Sequence, residues 1–131
     1  MAYHFRNLVF EGGGVKGIAY LGALDVLGSK GILEAIERIG GTSAGAINAV
    51  LLGLGFTLKE TRDILWALDF NAFMDDSWGI VHDTERLLHE FGWYKGDFFR
   101  AWIGKLIRSK TGNSESTFAD LEALKASRGD R

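Results

Sequence analysis

Two glycine-rich stretches of this 131-residue chain have the residue types and spacing that chemistry requires. The first, Gly41-Thr42-Ser43-Ala44-Gly45, fits the pattern G-x-S-x-G. In that pattern a strand turns sharply into a helix, and the serine hydroxyl projects from the sheet edge as a nucleophile. Ser43 is therefore the candidate nucleophile, and the free N–H groups at the start of the following helix would favour a developing oxyanion. The pattern also fits a plain turn in which Ser43 caps the helix.

The second stretch, Gly12-Gly13-Gly14-Val15-Lys16-Gly17, is open to several interpretations. Its first, third and last glycines satisfy the dinucleotide pattern G-x-G-x-x-G, and Glu34 or Glu37 follows about 20 residues on, where that pattern places an acidic residue. A phosphate-binding P-loop is excluded because Lys16 is followed by Gly17 and not by Ser or Thr.

A third interpretation of this stretch is an oxyanion loop, in which the N–H groups of Gly12, Gly13 and Gly14 donate to a tetrahedral intermediate. A tight turn without a ligand is the fourth. Taken alone, the stretch does not choose among a nucleotide site, an oxyanion loop and a plain turn.

The surrounding elements favour the oxyanion loop. The hydrophobic pattern predicts strands over 7–11 and 36–39 and helices over 15–27 and 43–54, with a glycine turn after each strand. This order predicts an α/β fold with a parallel-rich central sheet, right-handed crossovers and helices on both faces. Neighbouring parallel strands would bring both glycine turns to the same carboxyl edge, where α/β proteins place their sites.

Four further helices are predicted. One covers 58–68 and begins with a capping box, another covers 84–91 after an irregular segment 69–83, and the last two cover 98–110 and 117–126. Aromatic residues are concentrated between 66 and 102 and would form either core or the wall of an acyl-chain pocket or membrane-facing surface. Core is favoured because aromatic residues dominate cores, and the helical spacing of Phe98, Trp102 and Leu106 also suits burial. The aromatic residues are Trp66, Phe70, Phe73, Trp78, Trp93, Tyr94, Phe98, Phe99 and Trp102.

Composition excludes several classes of function. A formal net charge of −2 disfavours nucleic-acid binding. The chain has no Cys, and His4, His82 and His89 are scattered, so no metal site is predicted. No signal peptide is recognised, and the longest apolar stretch, 44–56, is too short to cross a bilayer. A cytoplasmic location is therefore the expectation.

The segment Phe10–Leu24, followed by Gly41–Ala49, resembles the patatin-like phospholipase family, and Thr117–Leu121 is similar to a segment of bacterial members. The resemblance implies a three-layer α/β/α fold and hydrolysis of a lipid or phospholipid ester through an acyl-enzyme. It also implies contact with a membrane surface and no cofactor. Ser43 would be the nucleophile of a Ser–Asp dyad, with oxyanion donors from Gly12, Gly13 and Gly14. Lys16 matches a basic position of the family's loop, without a chemical step.

In one respect the chain departs from the family pattern. The family's catalytic Asp stands in an Asp-Gly pair, and no Asp of these 131 residues is followed by Gly. We therefore expect residues 1–131 to be the N-terminal portion of a patatin-like domain that lacks its C-terminal strands and is inactive alone. The alternatives are an inactive lipid- or partner-binding domain, and a dinucleotide-binding enzyme that uses the G-x-G-x-x-G glycines.

Overall fold

The computed structural model describes residues 4–68 and 96–128. The chain divides into two compact units, Met1–Leu68 and Asp69–Arg131. The predicted irregular segment 69–83, the predicted helix 84–91, and both His82 and His89 lie outside the described residues.

A small parallel sheet organises the first unit. Strand β1 covers Asn7–Phe10 and strand β2 covers Arg38–Gly41, with Asn7 opposite Arg38 and Phe10 opposite Gly41. The predicted parallel pairing is confirmed, but β2 begins two residues later than the hydrophobic pattern indicates. Pairing with β1 sets this boundary, and a 3-10 turn over Leu33–Ala35 occupies the chain just before it.

The crossover between the strands is not the single α-helix that the sequence predicts. A 3-10 helix covers Gly14–Ala19, and helix α1 follows over Tyr20–Ser29. Glycine has a low α-helix propensity, so the glycine-rich start adopts the tighter winding. Gly31 ends the crossover helix at φ +66°, and the Ile32 N–H bonds back to the Leu27 carbonyl at 3.0 Å.

Two helices follow the second strand. Helix α2 covers Ala44–Gly53 and helix α3 covers Leu58–Trp66. The predicted capping box is confirmed, since the Glu60 N–H donates to Thr57 Oγ1 at 3.2 Å and the Thr57 N–H donates to a Glu60 carboxylate oxygen at 2.7 Å. These helices pack with α1 and β1 around an apolar core: Phe10, Leu21, Leu24, Ile32, Ala44, Ile47, Leu51, Phe56, Leu65 and Leu68.

The second unit contributes two described helices, α4 over Asp97–Thr111 and α5 over Phe118–Arg128. Gly112 ends α4 at φ +86°, as predicted. Thr117 and Asp120 cap α5 as predicted, and the helix continues two residues beyond the predicted end. The Asp120 carboxylate accepts from the Thr117 N–H at 2.8 Å, which lowers the pKa of that carboxyl.

The aromatic residues do not all lie in a core, contrary to the simplest expectation. Phe98 and Trp102 on α4 are half-buried, as their helical spacing indicates, whereas 69% of Trp66 on α3 is exposed. The aromatic residues between 70 and 94 lie outside the described residues.

The two faces of the sheet differ. Side chains alternate between the faces of a strand, so Phe10 and Val9 lie on opposite sides. Phe10 is 3% exposed, whereas 76% of Val9 is exposed. Across residues 4–68 and 96–128, none of the helices has the length and apolar character that a bilayer crossing needs.

Candidate active site

Ser43 occupies a sharp strand-to-helix turn. Strand β2 ends at Gly41 and helix α2 begins at Ala44, so only Thr42 and Ser43 make the turn. Ser43 has φ 50° and ψ −127°, and within the described residues it alone adopts a positive φ without being glycine. A side chain in this region costs about 1–3 kcal/mol, and such strain is concentrated at functional sites.

The glycines on either side of Ser43 are required by the backbone around them. A Cβ atom on Gly41 would lie 2.4 Å from the carbonyl carbon and oxygen of Gly45, within the first turn of α2. A Cβ atom on Gly45 would lie 2.5 Å from the carbonyl oxygen of Phe10, at the end of β1. Both distances are far below van der Waals contact, and the opposing atoms are backbone that cannot move aside. These contacts are the physical reason for glycine at both positions.

Backbone hydrogen bonds hold this turn against the first strand. The Thr42 N–H donates to the Phe10 carbonyl at 3.1 Å. The Gly45 N–H donates to the Thr42 carbonyl at 2.9 Å, and the Ala46 N–H to the Ser43 carbonyl at 2.8 Å. The strained conformation of Ser43 is therefore fixed by bonds on both sides of it, and its side chain is exposed.

The second glycine stretch lies directly beside Ser43. A Cβ atom on Gly12 would lie 3.1 Å from the Ser43 Cβ and 3.3 Å from the Thr42 carbonyl oxygen. Gly17 is buried against the start of α2, where a Cβ atom would lie 2.9 Å from the Ala44 Cβ. The predicted placement of both glycine turns at one edge of the sheet is thus confirmed by the register of the strands.

Several N–H groups of the glycine loop and of the turn after Ser43 have no hydrogen-bond acceptor within the described residues. Within the described residues, the N–H groups of Gly12, Gly13 and Gly14 donate to no acceptor, and all three glycines are exposed. Ala44 is the first residue of α2, so its N–H has no intrahelical acceptor either. In a nucleophile elbow the residue after the serine supplies one oxyanion donor. From the sequence, the loop glycines were named as the predicted oxyanion donors, whereas Ala44 was named only as part of the G-x-S-x-G motif.

Lys16 shapes the loop through its backbone. Its N–H donates to the Gly13 carbonyl at 3.1 Å, which forms the first turn of the 3-10 helix. The Lys16 side chain is exposed and forms no ion pair with any other described residue.

No carboxylate of the described residues hydrogen-bonds to the Ser43 hydroxyl. The acidic side chains of the first unit are largely engaged elsewhere. Asp25 pairs with Arg62, Asp63 with Lys59, Glu37 with Arg6, and Glu60 caps α3. The part of the chain that the structure describes also contains no group of three His, Cys, Asp or Glu side chains placed to hold a metal ion.

The structure argues against the dinucleotide interpretation. That interpretation requires an acidic residue close to the glycine loop, at the carboxyl end of the second strand. Glu37 instead precedes β2, and its N–H donates to the Arg6 carbonyl at 2.8 Å, at the amino edge of the sheet. Glu34 lies in the 3-10 turn before that. The glycine loop is at the opposite edge, about 13 Å away for four strand residues.

Two residues of the site were not singled out from the sequence. Asn48 is 1% exposed on α2, where its amide Nδ2 donates to the Ala44 carbonyl at 3.1 Å. Its Oδ1 atom has no partner in the described part of the chain. Tyr20 donates from its hydroxyl to the Glu11 carbonyl at 2.9 Å, next to the glycine loop. A polar residue inside an otherwise apolar helix was the available signal for Asn48, and none marked Tyr20.

A serine in a strained elbow, next to a glycine loop at the carboxyl edge of a parallel sheet, is the arrangement of α/β serine hydrolases. Comparison with known families is more specific. The chain belongs to the patatin-like phospholipase family, whose model matches residues 8–129.

Individual relatives agree with this assignment. The uncharacterized protein YqhO of Bacillus subtilis is 39% identical over 118 residues, which cover 87% of this chain and 39% of YqhO. The uncharacterized protein R571 of Acanthamoeba polyphaga mimivirus is 32% identical over 118 residues, covering 89% of this chain and 39% of R571. The chain thus spans about two fifths of the length of these relatives.

Two solved structures share the fold. ExoU of the Pseudomonas aeruginosa type III secretion system, crystallised in complex with SpcU, has a TM-score of 0.57 at 24% identity, over 96% of this chain and 24% of that one. VipD of Legionella pneumophila has a TM-score of 0.54 at 22% identity, over 98% of this chain and 29% of that one.

Proposed function

We propose that these residues form the nucleophile and oxyanion half of a lipid acyl hydrolase active site. Ser43 is the nucleophile, and the N–H groups of Gly12, Gly13, Gly14 and Ala44 are the oxyanion donors. The observation that carries the proposal is the positive φ of Ser43 in a turn that lies against Gly12. A lipid ester is the substrate class by family membership, and a membrane or micelle surface is where such a substrate is found.

The reaction would proceed in two acyl transfers. The Ser43 oxygen forms a bond to the acyl carbon, and the electron pair of the C=O bond moves onto the carbonyl oxygen. The loop N–H groups stabilise this oxyanion in place of water. The intermediate collapses, the bond to the alcohol oxygen breaks, and that oxygen takes up a proton. Water then attacks the acyl-enzyme in the same way and releases the fatty acid.

Both steps need a base to accept a proton from Ser43 and later from water. The family's base is the Asp of an Asp-Gly pair, and the 131 residues contain none. We therefore propose that the base is a carboxylate not included among these residues. Without it, Ser43 is an ordinary hydroxyl and a poor nucleophile.

A non-catalytic binding domain is the second candidate, with Ser43 as a structural turn residue. The geometry favours the enzyme, because a turn at φ 50° is more stable with glycine, which reaches positive φ without strain. A serine at this position costs stability, and its hydroxyl makes no capping hydrogen bond in return. A role for the hydroxyl in chemistry explains that cost.

Labelling with an alkyl fluorophosphonate tests the nucleophile assignment. The 131-residue chain is incubated with excess probe at mildly alkaline pH, with imidazole as an exogenous base in place of the proposed carboxylate, and labelled peptides are quantified by mass spectrometry. Ser29 and Ser109 are the internal controls, since both are exposed serines whose hydroxyls donate to helix carbonyls. We expect Ser43 to react at least about tenfold faster than either control, because only Ser43 lies beside oxyanion donors. Equal labelling of the three serines would contradict the proposal.

A further inference from the structure

Tyr20 joins the two ends of the glycine loop. Its phenol hydroxyl donates a hydrogen bond of 2.9 Å to the carbonyl oxygen of Glu11. Glu11 is the first residue after β1 and Tyr20 is the first residue of α1, so this bond closes segment 12–19 into a ring. The Tyr20 ring is held in turn by Phe10, whose buried ring lies 5.0 Å away in an edge-to-face arrangement.

The Glu11 carbonyl belongs to the same peptide group as the Gly12 N–H. A peptide group is planar and trans, so its C=O and N–H bonds point in opposite directions. The Glu11 carbonyl oxygen lies against the first turn of α2, because a Cβ atom on Gly45 would be 2.6 Å from it. The bond from Tyr20 therefore fixes the orientation of this peptide group, which begins the glycine loop beside Ser43.

On the basis of the proposed function, we infer that Tyr20 is a positioning residue for the oxyanion loop. Its hydroxyl fixes the peptide group that carries the Gly12 N–H, and with it the start of the loop whose N–H groups would stabilise the oxyanion formed when Ser43 attacks. A hydrogen bond at the carbonyl also polarises the peptide group and makes its N–H a stronger donor. Tyr20 acts through Gly12 and does not touch the reacting atoms.

The substitution Tyr20→Phe tests this role, because it removes the hydroxyl and keeps the ring that packs on Phe10. Ser29→Ala is the matched control, since it removes another hydroxyl-to-carbonyl bond, Ser29 to Val26 at 2.9 Å, from the far end of the same helix. We expect Tyr20→Phe to slow fluorophosphonate labelling of Ser43 about tenfold, because a donor that is misdirected loses part of its effect. Ser29→Ala should leave the labelling rate unchanged.

A second readout is independent of the chemistry. In the ¹⁵N-labelled chain, Tyr20→Phe should shift the amide cross-peak of Gly12 more than Ser29→Ala does, while both variants keep a folded spectrum. A Gly12 cross-peak at its wild-type position would overturn the inference.

The two proposals fail in different ways. If the wild-type chain is labelled preferentially at Ser43 and Tyr20→Phe is labelled equally fast, only the role of Tyr20 is overturned. If wild-type Ser43 reacts no faster than Ser29 and Ser109, the proposed function is overturned and the role of Tyr20 with it.

Discussion

The two glycine-rich turns of this site use glycine for different reasons. In the elbow, added Cβ atoms on Gly41 and Gly45 would lie 2.4 and 2.5 Å from backbone atoms. In the loop, a Cβ atom on Gly13 would meet only the Lys16 Cβ at 3.8 Å, and one on Gly14 would meet nothing within 4 Å. The elbow glycines are therefore required by packing. Packing does not require glycine at either loop position. At Gly14 the backbone does favour glycine, because φ is +54°.

This difference indicates what the loop is for. At Gly13 a side chain would fit, yet the chain carries glycine. Glycine at this position leaves the backbone N–H accessible. Gly12 lies between the two cases, since a Cβ atom there would crowd the Ser43 Cβ at 3.1 Å. Elbow substitutions should consequently affect stability first, and loop substitutions should affect reactivity first.

The largest effect is expected for Gly45→Ala. The methyl group would overlap the Phe10 carbonyl, and we expect the free energy of unfolding to fall by about 3 kcal/mol or more. The matched control is Gly53→Ala at the end of the same helix, where a Cβ atom meets nothing within 4 Å. Alanine there should stabilise the chain by about 0.5–1 kcal/mol. Urea unfolding of both variants measures the difference, and similar stabilities would show that the elbow is not tightly packed.

The substitution Ser43→Gly should have an intermediate effect of opposite sign. Glycine relieves the strain at φ 50°, so we expect the free energy of unfolding to rise by about 1 kcal/mol. Ser43→Ala retains a Cβ atom and should show no such gain. Thermal unfolding of the two variants distinguishes them. A destabilised glycine variant would mean that the hydroxyl contributes to folding rather than to chemistry.

The smallest effect on stability is expected for Gly13→Ala. Its backbone has φ −164°, which any residue adopts, so the free energy of unfolding should change by less than about 0.5 kcal/mol. Fluorophosphonate labelling of Ser43 should nevertheless fall about tenfold, because the methyl group obstructs the approach to the loop N–H groups. Gly22→Ala on α1 is the control in open space. Loss of stability without loss of labelling would reverse the proposed difference between the turns.

Much of this arrangement could be predicted from local sequence. The elbow, the order of strands and helices, and the capping residues Thr57 and Thr117 depend on neighbours within a few positions. The start of β2 at Arg38 could not be predicted, because pairing with Asn7 across the sheet sets it. The 3-10 winding of the crossover was missed because the helical hydrophobic spacing continues through it.

The contact that Tyr20 makes could not be predicted from the sequence pattern either, whereas Asn48 carried a local signal. Tyr20 contacts Glu11 only because the loop between them folds back, and nine residues of sequence give no sign of that closure. Asn48 interrupts an apolar helix, and its bond to the Ala44 carbonyl is a local contact one turn back within α2. Only the Tyr20 contact depends on the three-dimensional path of the chain.

We propose that Ser43 and the glycine loop are in place and need only a base. The most direct test is p-nitrophenyl ester hydrolysis by the 131-residue chain, with Ser43→Ala alongside, as imidazole is added as an exogenous base. We expect no release above the Ser43→Ala control without imidazole, and Ser43-dependent release that rises with the imidazole concentration. Ser43-dependent release without imidazole would mean that a working base lies within these residues. Release independent of Ser43 at every concentration would mean that Ser43 is not the nucleophile.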